Sequence, residues 1–239
     1  MPNSNTERRA KKFYLIFFMQ SNAAMKQLIA LILVAFVILA SCKTGNKEKL
    51  FTQLPSSATG IRFNNTIDES KFAKQALNEF AYMGGGVGIG DFNNDGLKDI
   101  FFCGNQVSSR LYINKGDNQF EDITEKAGVL TTAWCTGVSI VDINNDGFDD
   151  IYVCNYGKGL TAAAANQLFI NQHNLSFKEE AASYGLADSS YSTQAAFFDY
   201  DKDGDLDMYL LNYRFNGPNA NTIFPKDLSG RSPANDKLY

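Results

Sequence analysis

The chain has one histidine, one tryptophan and four cysteines in 239 residues, and it is short of positive charge, with 22 Lys and Arg against 26 Asp and Glu. Each shortage removes a class of function. No Ser-His-Asp or Cys-His set can be assembled around the single histidine, His173, which reads as an exposed turn residue. A chain poor in Lys and Arg is a poor partner for nucleic acid, whose phosphates are bound through those two side chains. Long apolar runs are missing too: the longest, Leu28 to Ala40, has thirteen residues, against the roughly 20 that a spanning helix needs.

That run has another use. Met25-Lys26 precedes it and Ser41-Cys42 follows it, the order of basic residue, apolar core and small residues found in secretory signals. Leu39-Ala40-Ser41-Cys42 also resembles a bacterial lipobox, which implies cleavage before Cys42 and lipid on its sulfur; the plain alternative is an incidental cysteine after a signal peptide. The expected division is a doubtful extension over 1–24, with translation starting at Met25, a signal over 25–41, a polar tether over 42–49 and the folded repeat region over 50–239. The first 42 residues hold five of the 22 basic residues and one of the 26 acids, so the remainder carries 17 against 25, a net charge of −8.

Twelve of those 25 acids fall in one nine-residue pattern written three times. It runs Asp91-Phe92-Asn93-Asn94-Asp95-Gly96-Leu97-Lys98-Asp99, then Asp142-Ile143-Asn144-Asn145-Asp146-Gly147-Phe148-Asp149-Asp150, then Asp199-Tyr200-Asp201-Lys202-Asp203-Gly204-Asp205-Leu206-Asp207. Positions one, three, five and nine carry side-chain oxygen, and position six is glycine, suited to a tight loop. Such residues are common in turns, but three copies in register favour a shared ligand, and converging oxygens suit Ca²⁺. An EF-hand would place a bidentate Glu at position twelve. Phe102, Val153 and Leu210 stand there, so the EF-hand is excluded.

Short apolar runs flank every copy, 86–90 and 99–103, 138–141 and 150–154, 195–198 and 207–211, as in two strands of a hairpin joined by the loop. The similarity continues: Arg110-Leu111-Tyr112-Ile113-Asn114 parallels Gln167-Leu168-Phe169-Ile170-Asn171, and Lys237-Leu238-Tyr239 starts the same phrase. Phe120-Glu121-Asp122-Ile123 parallels Phe177-Lys178-Glu179-Glu180. Four short strands per unit, with loops spaced 51 and 57 residues apart, predict an all-β chain built as a partial β-propeller. Thr59-Gly60-Ile61 and Phe63 are read as the fourth strand of an earlier, partial blade.

Gly88-Ile89-Gly90-Asp91-Phe92-Asn93-Asn94-Asp95-Gly96 and Leu111-Tyr112-Ile113-Asn114-Lys115-Gly116 resemble the FG-GAP/VCBS repeats of integrin α-subunit propellers and of bacterial surface proteins related to cartilage acidic protein. The resemblance covers roughly residues 50–239. It implies a propeller with Ca²⁺ in the hairpin loops, about three ions here. The implied side-chain ligands are Asp91, Asn93, Asp95 and Asp99; Asp142, Asn144, Asp146 and Asp150; and Asp199, Asp201, Asp203 and Asp207, joined by the carbonyls of Leu97, Phe148 and Asp205. The literal Phe-Gly and Gly-Ala-Pro phrases of the integrin repeats are absent, so integrin-type ligand recognition is not implied. Propellers have four to eight blades and about three are present, so an N-terminal fragment of a longer protein, or a truncated gene product, is expected.

The connections between second and third strands lengthen from 12 to 18 to 31 residues, counted from the last loop Asp to the next strand's Leu. Residues 157–166 and 213–236 are therefore candidates for a ligand-facing surface, with tolerated insertion as the equal alternative. Cys103 and Cys154 share one repeat position that holds Leu211 in the third unit, so both are expected as buried thiols. The functional expectation is a calcium-binding, lipid-anchored surface module that meets a glycan or protein. The alternatives are part of a carbohydrate-active enzyme or a purely architectural segment.

Overall fold

In the repeat region, β-branched and aromatic residues alternate over short stretches between Asp-Gly loops, and the chain folds accordingly into hairpins. The computed structural model describes residues 25–32, 49–71, 82, 84–156, 164–213 and 235–239. The expected extension over 1–24, the expected lipidation site Cys42, most of the expected tether, and the segments 157–163 and 214–234 lie outside them. Two compact units are present, 1–53 and 54–239. Of the first, residues 25–32 are helical. Among the described residues no helix is long and apolar enough to cross a membrane.

The second unit holds three antiparallel sheets. Sheet I contains β1 (Val87–Gly90), β2 (Asp99–Phe102), β3 (Arg110–Asn114) and β4 (Phe120–Asp122), hydrogen-bonded in chain order. Sheet II repeats it with β5 (Cys135–Val141), β6 (Asp150–Asn155), β7 (Gln167–Asn171) and β8 (Phe177–Glu179). Sheet III has β9 (Ser192–Phe198), β10 (Asp207–Asn212) and β11 (Lys237–Leu238). In each sheet the Asp loop joins the first two strands, and Gly90 pairs with Asp99 as Val141 pairs with Asp150 and Phe198 with Asp207.

The sheets stack in chain order through their first strands, β1 on β5 and β5 on β9. Glycine permits this spacing. A Cβ on Gly137 would strike the Thr193 carbonyl, and one on Gly88 would come within 2.7 Å of Ile140. Between sheets I and II lies a core that includes Phe101, Cys103, Leu111 and Ile113 from one side and Val138, Ile151 and Val153 from the other. Between II and III lie Tyr152, Cys154, Leu168 and Ile170 against Ala195, Met208 and Leu210. Sheet II is thus apolar on both faces, and β6 is buried along its whole length. Cys103, Cys135 and Cys154 are buried free thiols, each with its ionisation pushed up by burial. Among the described residues the three sheets do not close into a ring.

One expected strand is absent. Instead of a strand near Thr59, the chain forms a single helical turn, α1 (Ser56–Thr59), ended by Gly60 at φ 78°. The same device follows β4 as α2 (Thr124–Ala127) with Gly128 at φ 75°, and Gly185 after β8 has φ 75°. A left-handed residue at a helix end favours glycine because it has no Cβ to clash. Residues 56–60 therefore match the closing turn that comes after a fourth strand. The neighbourhood agrees: a Cβ on Gly60 would meet the Phe120 carbonyl of β4, just as one on Gly128 would meet the Phe177 carbonyl of β8.

Candidate metal centre

Each Asp loop is drawn inward by its own first residue. Asp91 accepts hydrogen bonds from the N–H groups of Asp95 and Gly96 at 3.1 and 2.8 Å, and Asp142 accepts from Asp146 and Gly147 at 2.9 and 2.8 Å. In the third loop Asp199 accepts from Lys202 and Gly204. Asp95, Asp146 and Asp203 in turn accept from the N–H of Leu97, Phe148 and Asp205, the position-seven residues. The backbone is left-handed at position six, where glycine stands, and also at position four, at Asn94, Asn145 and Lys202. Asparagine tolerates that conformation better than most side chains, so the Asn-Asn-Asp-Gly run of the first two loops fits its turn.

The ninth residue is the hinge between loop and sheet. Asp99 is fully buried and accepts from Phe92 N–H at 3.0 Å and Asn114 N–H at 2.8 Å. Asp150 repeats this with Ile143 and Asn171. Burial raises both carboxyls above the usual range, Asp150 to about 6, against the lowering effect of those N–H groups. Asp207, on the less covered third sheet, accepts from Tyr200 N–H at 2.6 Å.

Loop three brings three carboxylates together: one oxygen each of Asp199, Asp201 and Asp207 lie within 4.8 Å of one another. Ca²⁺ binds oxygen at about 2.3–2.6 Å, so oxygens within that separation can share one ion. The donors are all oxygen, as a hard cation requires. Asp203, expected in the same set, is not among the three; the Asp205 N–H bonded to it holds its ionisation low, while the hydrogen bond and charge of Asp203 raise that of Asp205. In the first two loops the third position is Asn93 or Asn144, whose amide donates to Asp95 or Asp146 at 2.9 and 2.8 Å.

Several partners are invisible in the pattern itself. His173, in the turn after β7, places Nε2 2.9 Å from Asp146 and stacks on Phe148 with ring centroids 4.2 Å apart. That contact holds the Asp146 carboxyl below its ordinary range. Asn171 donates to the Phe92 carbonyl at 2.8 Å, and Asp149 accepts from the Asp91 N–H at 2.8 Å, so side chains of sheet II fasten the first loop. Asn94 returns the link by donating to the Gly147 carbonyl. The repeated asparagine ending β3 and β7 was the available signal; its partners were not.

Antiparallel sheets that each carry an Asp-rich hairpin loop define a class of repeat protein. Residues 91–153 match the family of FG-GAP-like repeats. Over 177 residues the chain is 28% identical to cartilage acidic protein 1 of Xenopus tropicalis, covering 72% of this chain and 26% of that protein. It is 27% identical over 147 residues to the human cartilage acidic protein 1, covering 60% of this chain and 21% of the relative. The chain thus spans about a quarter of the length of these relatives and is related to them at low identity over part of its length. The likeness to repeat proteins of this type supports a non-enzymatic assignment.

Proposed function

We propose that the chain is a calcium-binding surface module, a segment of a β-propeller carried outside the cytoplasm and anchored through lipid on Cys42, that binds a glycan or protein. The convergence of Asp199, Asp201 and Asp207 oxygens is the observation that carries this reading. If the three loops act alike, about three ions bind, held by the oxygens of Asp91, Asn93, Asp95 and Asp99, of Asp142, Asn144, Asp146 and Asp150, and of Asp199, Asp201, Asp203 and Asp207, with the carbonyls of Leu97, Phe148 and Asp205. Bound Ca²⁺ would neutralise the acids that crowd each bend, and the loop N–H groups already turn the carboxylates inward. Similarity to cartilage acidic protein supports the surface role.

Thermal unfolding tests the proposal. A ligand at 100 times its Kd stabilises a fold by about 2.7 kcal/mol, which for a chain of this size is about 5–10 °C in Tm. Calcium should raise Tm by that order and a chelator should reverse it. A melting curve indifferent to both rejects calcium binding.

A further inference from the structure

Loops one and two are joined by side chains that belong to neither set of expected ligands. Asp149, at position eight of loop two, accepts from the Asp91 N–H at 2.8 Å, and Asn94, at position four of loop one, donates to the Gly147 carbonyl at 2.9 Å. A third tie comes from the buried Asn171. Its amide reaches the Phe92 carbonyl at 2.8 Å and the Asp149 carbonyl at 3.2 Å, while its own N–H is accepted by Asp150 at 2.8 Å. Loop three is not joined to loop two in this way. Its position eight is Leu206, which has no side-chain oxygen to accept, and among the described residues Asn145 does not repeat the bond of Asn94, although both have φ 56°.

Each tie ends on, or between, residues expected to hold the cation. Asp149 lies between Phe148 and Asp150, Gly147 between Asp146 and Phe148, and Asn94 between Asn93 and Asp95, while the bond from Asp149 ends on the backbone of Asp91 itself. Whatever fixes the ligands of loop two therefore fixes Asp149 and the Gly147 carbonyl, and through them the first and fourth residues of loop one. We propose that loops one and two take up Ca²⁺ as a coupled pair through Asp149 and Asn94, whereas loop three binds on its own. The inference rests on the calcium reading above and adds to it a division of the three sites. Linkage makes such coupling reciprocal, and couplings between sites commonly amount to about 5- to 150-fold in affinity.

Hydrogen exchange of the full chain at stepped calcium concentrations, in mild non-ionic detergent because of the apolar run at 28–40, gives a calcium midpoint for peptides from each loop. Asp146→Ala, which removes a ligand from loop two alone, should raise the midpoint of loop one about fivefold or more and leave that of loop three in place. That shift should shrink when Asp149→Ala or Asn94→Gly is added; glycine keeps the left-handed backbone, so the second change deletes only the bond. Asn145→Gly at the matching position of loop two, and Asp149→Asn, which keeps an acceptor oxygen, should preserve the shift. A loop-one midpoint that ignores Asp146→Ala, a shift that survives Asp149→Ala at full size, or an equal shift in loop three overturns the coupling and leaves calcium binding standing. Loss of the calcium response at all three loops of the wild-type chain rejects calcium binding, and the coupling with it.

Discussion

At the scale of single residues, the loop acids divide by what they hold. Asp95 is exposed and accepts from the N–H of Leu97, a group that water can satisfy in its place. Asp99 is buried and satisfies two N–H groups, those of Phe92 and Asn114, which join the loop to β3. Leaving a buried donor unpaired costs about 1–3 kcal/mol. Asp99→Ala should therefore lower stability by about 2–5 kcal/mol even in chelator, whereas Asp95→Ala should leave the metal-free chain almost unchanged and remove part of the calcium increment. Urea unfolding of both variants, with and without calcium, separates the two roles. Equal losses in chelator would show that the ninth position has no separate structural duty.

At the scale of elements, the first strands do the stacking, and their glycines set how close the sheets come. Gly137 faces Thr193 and Gln194 of β9, with no room for a methyl group. Gly137→Ala should destabilise the chain by about 1–3 kcal/mol, the usual cost of overpacking. Gly116, at a hairpin tip with open space around it and φ 82°, gives the comparison: Gly116→Ala should cost only about 1 kcal/mol of backbone strain. Chemical denaturation of the pair tests whether contact between sheets, rather than the loss of glycine as such, is the larger effect. The short helical turns at Ser56–Thr59 and Thr124–Ala127 show what periodicity misses. Four residues are too few for a 3.6-residue repeat to register, so the sequence reading of Thr59-Gly60-Ile61 and Phe63 as a strand missed the turn over Ser56–Thr59.

At the scale of the whole molecule, burial runs from the middle of the stack outward. Sheet II has a neighbour on both faces, and β6 is buried from Asp150 to Asn155. Sheet III pairs β11 with β10 over Lys237 and Leu238 and continues through two backbone hydrogen bonds between Met208 and Tyr239, helped by the ion pair of Lys237 with Asp188. Protection against hydrogen exchange follows the cost of opening. Amides of β6 and β7 should exchange slowest, those of β10 and β11 fastest, as followed by mass spectrometry on peptides from each sheet. Equal protection across the three sheets would contradict this order.

What the amino-acid sequence determined by itself was whatever depends on near neighbours in the chain. Strand alternation, the hairpin around each Asp loop and the oxygens within nine residues all follow from local geometry, and the repeated strand phrases mark the strands of each unit. Tertiary structure decided the rest: which face of each sheet is covered, why β1 and β5 need glycine, and how Asn171 reaches Phe92 across 79 residues. Those contacts depend on how one sheet settles against the next, a spacing set by side chains far apart in sequence and written in no single repeat.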